Sequence, residues 1–162
     1  MPDPAAPPRT LTLTDEAATE RLAVALAPAL VPGDVVALAG DLGAGKTVLA
    51  RALIRALTGD PDEEVPSPTF TLVQSYDSGS GTIWHFDLYR LGGPDEVVEL
   101  GWDEAAAGIA LVEWPERLGP LLPATRLDVT LSLAGAEARR AILTGHGDWI
   151  ARLAGLSLEA PP

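Results

Sequence analysis

Eight consecutive residues of this chain, Gly40-Asp41-Leu42-Gly43-Ala44-Gly45-Lys46-Thr47, combine the residue types needed to hold a polyphosphate. The pattern is G-x-x-x-x-G-K-T, a P-loop. Gly40, Gly43 and Gly45 permit a backbone curl whose N–H groups turn inward toward anionic oxygens. Lys46 supplies a point charge for β- and γ-phosphates, and the Thr47 hydroxyl is a ligand for Mg²⁺. Of the 11 lysines and arginines, Lys46 is the only lysine. A chain that uses arginine at every other cationic position keeps lysine where a compact ammonium fits and a planar guanidinium does not.

Mg²⁺ takes oxygen ligands, so a P-loop site needs an acid at the end of a neighbouring strand. Two positions qualify: Asp87 after Ile83-Trp84-His85-Phe86, and Glu113 after Ile109-Ala110-Leu111-Val112. The second run is the more uniformly apolar, as befits a central parallel strand. Glu113 is therefore assigned to the metal, and Asp87 to a metal-bound water or the attacking water. Thr69, in a loop stiffened by Pro66 and Pro68, is a candidate γ-phosphate sensor. His85 is open between a structural histidine, the commoner case, and a residue that positions water. Trp102 and Trp114 read as packing residues, and Arg90 is open between Asp87, a phosphate and the surface.

Positioning these groups calls for an α/β fold. Val35–Ala39 reads as the strand feeding the P-loop, and the helix that follows runs to about Leu57 with Gly59 as its C-cap. Upstream, Thr10–Leu13 alternates as a short strand. Thr14 is the expected N-cap of a helix striped by Leu22, Leu26 and Leu30. Downstream, Thr69–Tyr76 alternates as a strand, and Thr82–Asp87 returns from it as a hairpin. Short helical pieces are expected from Pro94 and over Glu104–Ala107, and a buried strand over Ile109–Trp114. Residues 115–123 read as irregular. Leu127–Leu133 and Arg139–Leu143 form a second hairpin placed at a sheet edge, and a helix near Trp149 to Leu156 closes the domain. The expectation is a P-loop NTPase-like mixed sheet with a central parallel core, flanking helices and antiparallel edge hairpins.

Length and charge set bounds on function. The 162 residues suit one domain, expected over 9–156, between a disordered Pro-rich tail at 1–8 and a C-terminal tail at 157–162. The core is aliphatic, since aromatics make up only 5%. No apolar run is long enough to span a membrane, and Met1–Pro8 lacks the pattern of a signal peptide. With no cysteine, a cytoplasmic location is expected. A net charge of −12 argues against strong direct nucleic-acid binding.

Four segments occur in a fixed order: the P-loop, Ser67-Pro68-Thr69-Phe70-Thr71-Leu72-Val73, His85-Phe86-Asp87-Leu88-Tyr89-Arg90-Leu91, and Leu111-Val112-Glu113-Trp114-Pro115. Together they closely resemble the TsaE (YjeE) family of small bacterial ATPases of tRNA threonylcarbamoyladenosine biosynthesis, over about Thr10 to Leu143. The resemblance implies ATP and Mg²⁺ as ligands and a TsaB–TsaD complex as partner, acting on the adenosine beside the tRNA anticodon. It further implies that Thr47 and Glu113 hold Mg²⁺ and that Leu42, Gly43, Ala44, Gly45, Lys46 and Thr47 wrap the phosphates. Glu16 would lie near the nucleotide, and Asp87 would serve ATP hydrolysis. One departure stands out: some members carry a basic residue near the nucleotide where this chain has Ala136, which leaves that contact to Arg139 or to the backbone alone.

Two other activities fit a P-loop. A small-molecule kinase is the alternative, but such enzymes gather cations to clamp the transferred phosphoryl group. Here Arg90, Arg117, Arg126, Arg139, Arg140 and Arg152 are scattered. A GTPase is disfavoured, because a guanine-reading N-K-x-D segment needs asparagine and a second lysine, and the chain has neither.

Overall fold

The computed structural model describes residues 7–158. Strands β1 (Arg9–Leu13), β2 (Val35–Ala39), β3 (Val73–Ser78), β4 (Gly81–Asp87), β5 (Ile109–Glu113), β6 (Arg126–Leu133) and β7 (Arg139–His146) form one sheet. Their spatial order is β1-β7-β6-β2-β5-β4-β3. The four middle strands, β6, β2, β5 and β4, run parallel, whereas β7, β1 and β3 are antiparallel to their neighbours. Among the described residues, five α-helices complete the fold: α1 (Glu16–Leu26), α2 (Lys46–Thr58), α3 (Pro94–Glu99), α4 (Trp102–Ala105) and α5 (Trp149–Ala154). The mixed sheet with a parallel centre matches the fold class expected above.

The period of two along each strand divides the apolar residues between two cores. Val36, Leu38, Ile83, Ile109, Leu111 and Val129 face α1, α2 and α5. Val35, Phe86, Ala110 and Val112 face α3, α4 and the 3-10 turns of Pro115–Leu121. Within α2, Leu49, Leu53 and Ile54 are fully buried against the first core. Each contributes about 1.5–3 kcal/mol by leaving water. Helix α2 thereby holds its N-terminus, and the P-loop with it, over the carboxyl ends of the parallel strands.

Several local expectations shift. The N-cap of α1 is Asp15 rather than Thr14: its Oδ1 accepts from the Ala18 N–H at 2.9 Å. Ala18 lies three residues into the turn from Asp15, which is the reach an N-cap oxygen has, and the carboxylate also complements the helix dipole. Strand β3 begins at Val73, not Thr69. The Leu72 N–H donates to the Pro68 carbonyl at 2.7 Å, closing a turn that leaves Leu72 at φ +71° and Phe70 exposed. The alternation in Thr69–Leu72 therefore belongs to a loop.

The β6–β7 hairpin sits one strand in from the edge, because β1 pairs with β7 through Leu11 and Ala141. That pairing joins distant parts of the chain and leaves no local signal. The helical piece expected over Glu104–Ala107 begins earlier, at Trp102, and Trp114 lies beyond the end of β5. Leu158 is buried in the main core, so the folded unit runs past residue 156. Most of both expected tails, residues 1–6 and 159–162, lies outside the described residues.

Candidate functional site

The loop from β2 to α2 is built around its glycines. Gly40 has φ +141°, and a Cβ there would collide with the Leu131 carbonyl oxygen of β6. Gly45, at φ +106°, is the N-cap of α2. Both positions exclude side chains, the first by space and the second by backbone conformation. Ala44 is packed beneath the loop, and its N–H donates to the Asp41 carbonyl at 3.1 Å. Leu42 is 67% exposed at the tip. The result is a rigid curl at the start of a thirteen-residue helix, an arrangement suited to anions.

Two carboxylates meet this loop because β4 and β5 are parallel neighbours in register. Asp87 pairs with Glu113, both at strand ends and both on the face covered by α2. The Thr47 hydroxyl donates to Glu113 Oε1 at 2.8 Å. Asp87 is held by two donors: the Tyr89 N–H reaches Oδ1 at 3.0 Å, and the Thr69 hydroxyl reaches Oδ2 at 3.3 Å. Thr69 in turn lies 2.8 Å from the Ser67 hydroxyl. Three separate segments thus converge on one pair of acids.

Lys46 lies among acids. Its ammonium donates to the carbonyls of Gly40 and Asp41 and stands 4.1 Å from the Trp114 ring centroid. Burial pushes its pKa down, opposed by the nearby carboxylates of Glu113, Glu116, Asp87 and Asp41. Trp114 takes the left-handed conformation at φ +60°, which is costly for a side chain of this size. Its ring packs on Tyr89 at 4.8 Å between centroids. This indole therefore caps the lysine as well as packing.

The donor chemistry fits Mg²⁺. Thr47, Glu113 and Asp87 offer oxygen only, and the local excess of negative charge repels a polyphosphate unless a divalent cation intervenes. Among the described residues no group of three or more His, Cys, Asp or Glu forms a cage for a metal on its own.

Glu16, at the start of α1, joins Asp15, Thr19, Gly45, Val48, Ala136, Glu137 and Arg139 around a cleft of about 380 Å³. The cleft opens beside the P-loop, and Arg139 extends an Nη2 to the Gly43 carbonyl at 3.4 Å. Arg139 is thus a cation on the loop even though position 136 is alanine. Arg90 instead lies over the Phe70 ring at 4.4 Å. The structure brings Lys46, Thr47, Thr69, Asp87 and Glu113 together around the loop, with Glu16 on its far side.

Sequence reasoning undervalued three residues here. His85, fully buried, places Nε2 2.6 Å from Glu113 Oε2. The signal available was its position two residues before Asp87, on the same face of one strand. Trp114 and Arg139 reach the loop only through the left-handed turn after β5 and the position of β7. Trp114 belongs to one of the four ordered segments and Arg139 is a candidate contact from the sequence, but their places at the loop depend on the tertiary fold.

A family model described as threonylcarbamoyl adenosine biosynthesis protein TsaE matches residues 13–142. The chain is 43% identical over 137 residues to the tRNA threonylcarbamoyladenosine biosynthesis protein TsaE of Rickettsia conorii, covering 83% of this chain and 78% of that one. The protein of the same name from Bacillus subtilis is 37% identical over 142 residues, with coverage of 86% and 85%. The crystal structure of Bacillus subtilis YdiB superposes with a TM-score of 0.72 at 29% identity, over 91% of this chain and 93% of that one.

Proposed function

The chain belongs to the TsaE family of tRNA threonylcarbamoyladenosine biosynthesis, and from that premise we propose that it is a Mg²⁺-dependent ATPase that serves a TsaB–TsaD-type complex in the cytoplasm. The observation that carries this reading is the convergence of Thr47, Glu113, Asp87 and Thr69 at the mouth of the P-loop. A mere phosphate-binding loop needs none of the last three.

Each group has a role in that scheme. Mg²⁺ held at Thr47 and Glu113 would offset the charge of the phosphates. The loop from Leu42 to Thr47 wraps the phosphates with its free N–H groups, while the Ala44 N–H closes the curl on the Asp41 carbonyl. Lys46 exchanges its two loop carbonyls for phosphate. Asp87, held at both oxygens by Tyr89 and Thr69, orients a water and accepts its proton. Thr69 couples the loop after Pro68 to that carboxylate, so the loop responds to what occupies the site. Glu16 and Arg139 flank the cleft that would take the rest of the nucleotide.

The acidic surface favours action through protein partners over direct tRNA binding. ATP hydrolysis by the purified chain, measured with and without a purified TsaB–TsaD complex, tests the proposal. Stimulation by the complex is the expected result. Phosphoryl transfer to a metabolite with no need for the complex would favour the kinase instead.

A further inference from the structure

We propose that His85 is a positioning residue for the metal-binding carboxylate: its Nε2–H holds Glu113 Oε2, so that Oε1 stays turned to Thr47 and the P-loop. This rests on the Mg²⁺–nucleotide reading above and adds a residue to it.

The argument begins with burial. Glu113 is only 2% exposed, and a buried carboxylate needs donors to satisfy its oxygens and fix its orientation. It has two. Thr47 donates to Oε1 at 2.8 Å, and His85 lies 2.6 Å from Oε2. Of these, Thr47 belongs to the P-loop and is itself assigned to the metal, so it cannot also serve as a fixed anchor. His85 can: it sits on β4 opposite Leu111 of β5, one step deeper in the sheet than Asp87 and enclosed by the aliphatic face under α2. Its Nδ1 is buried and has no hydrogen-bond partner among the described residues. The tautomer that satisfies the pair therefore carries its proton on Nε2, because a proton on Nδ1 would be a buried donor with no acceptor.

A leucine would fill this strand position without an unpartnered nitrogen. The imidazole has one described polar contact, and that contact is the Glu113 carboxylate. Ligand side chains at metal sites are commonly oriented in this way by a group behind them, and removing that group typically costs about 10–100-fold in metal affinity or activity.

The test uses the full chain and isothermal titration of ATP, once with Mg²⁺ and once with EDTA. The ratio of the two dissociation constants is the gain due to Mg²⁺. His85→Leu should reduce that gain about 10-fold or more while leaving the EDTA value unchanged, and His85→Gln, which restores a donor of similar reach, should recover most of it. An unaltered gain in a folded His85→Leu protein overturns the proposal, as does equal loss in the Leu and Gln variants. Should His85→Leu fail to fold, His85→Asn is compared in the wild-type and Glu113→Gln backgrounds. The shorter amide should cost the gain in the first and nothing further in the second, and an equal cost in both overturns the coupling. Lys46→Ala separates the two claims. Unchanged Mg²⁺–ATP binding in that variant sinks the P-loop assignment on which the role of His85 rests, whereas its loss alongside an unaltered His85→Leu sinks only the role of His85.

Discussion

The ammonium of Lys46 answers to four carboxylates, those of Glu113, Glu116, Asp87 and Asp41. It is held by two loop carbonyls and an indole face, so its charge is available at the loop without being spent on any one acid. Lys46→Ala should abolish ATP hydrolysis, and Lys46→Arg should fail to restore it, because the fork is too large for the closed curl. A phosphate-release assay on both variants checks this. The two acids should separate by readout. Glu113→Ala removes the oxygen facing Thr47 and should weaken Mg²⁺-dependent ATP binding more than Asp87→Ala does. Asp87→Ala should leave binding largely intact and slow turnover by roughly 10²–10⁴-fold, the range for losing a general base. The reverse order in titration and turnover would exchange the two roles. These acids were legible in the chain because each ends an apolar strand, and strand ends are where a P-loop fold gathers its chemistry. The link from His85 to Glu113 was not, since it depends on which strands become neighbours.

At the scale of single elements, local chemistry competes with pattern. Thr14 and Asp15 are both good N-cap types, and only the reach to the Ala18 N–H selects Asp15. Asp15→Ala should cost about 1 kcal/mol of stability by urea denaturation, while Thr14→Ala should cost much less. Strand β3 holds a second test. The Tyr76 hydroxyl is buried with no hydrogen-bond partner among the described residues, and burial raises its pKa, with Glu63 adding to the rise. The folded chain then keeps a proton that the unfolded chain gives up from about pH 10 upward, so this group takes stability away as pH rises beyond that point. Tyr76→Phe should be neutral or stabilising by up to about 1 kcal/mol near pH 7 and should lessen the alkaline loss. Denaturation curves at several pH values check both statements. The late start of β3 has a similar origin: Thr69–Leu72 alternates by type, yet two prolines and a left-handed Leu72 commit it to a loop that carries Thr69 to Asp87.

Across the whole molecule, the site lies where most of the packing meets. It takes groups from the ends of β2, β4 and β5 and from α1, α2 and β7, which share one continuous core. Binding there should therefore stabilise the fold as a unit instead of quieting one loop. A ligand that binds only the native state at a hundred times its dissociation constant adds about 2.7 kcal/mol. For a domain of this size that corresponds to a rise in melting temperature of roughly 5–11 °C. The excess of acid around Lys46 makes the effect conditional. ATP with Mg²⁺ should give the full rise and ATP with EDTA a smaller one, because phosphate charge then faces the carboxylates unscreened. Lys46→Ala should lose the rise under both conditions. Scanning calorimetry at matched ionic strength reads all three. A full rise in EDTA would show that the acids do not oppose the nucleotide, and the case for Mg²⁺ at Thr47 and Glu113 would then fail even with the P-loop intact.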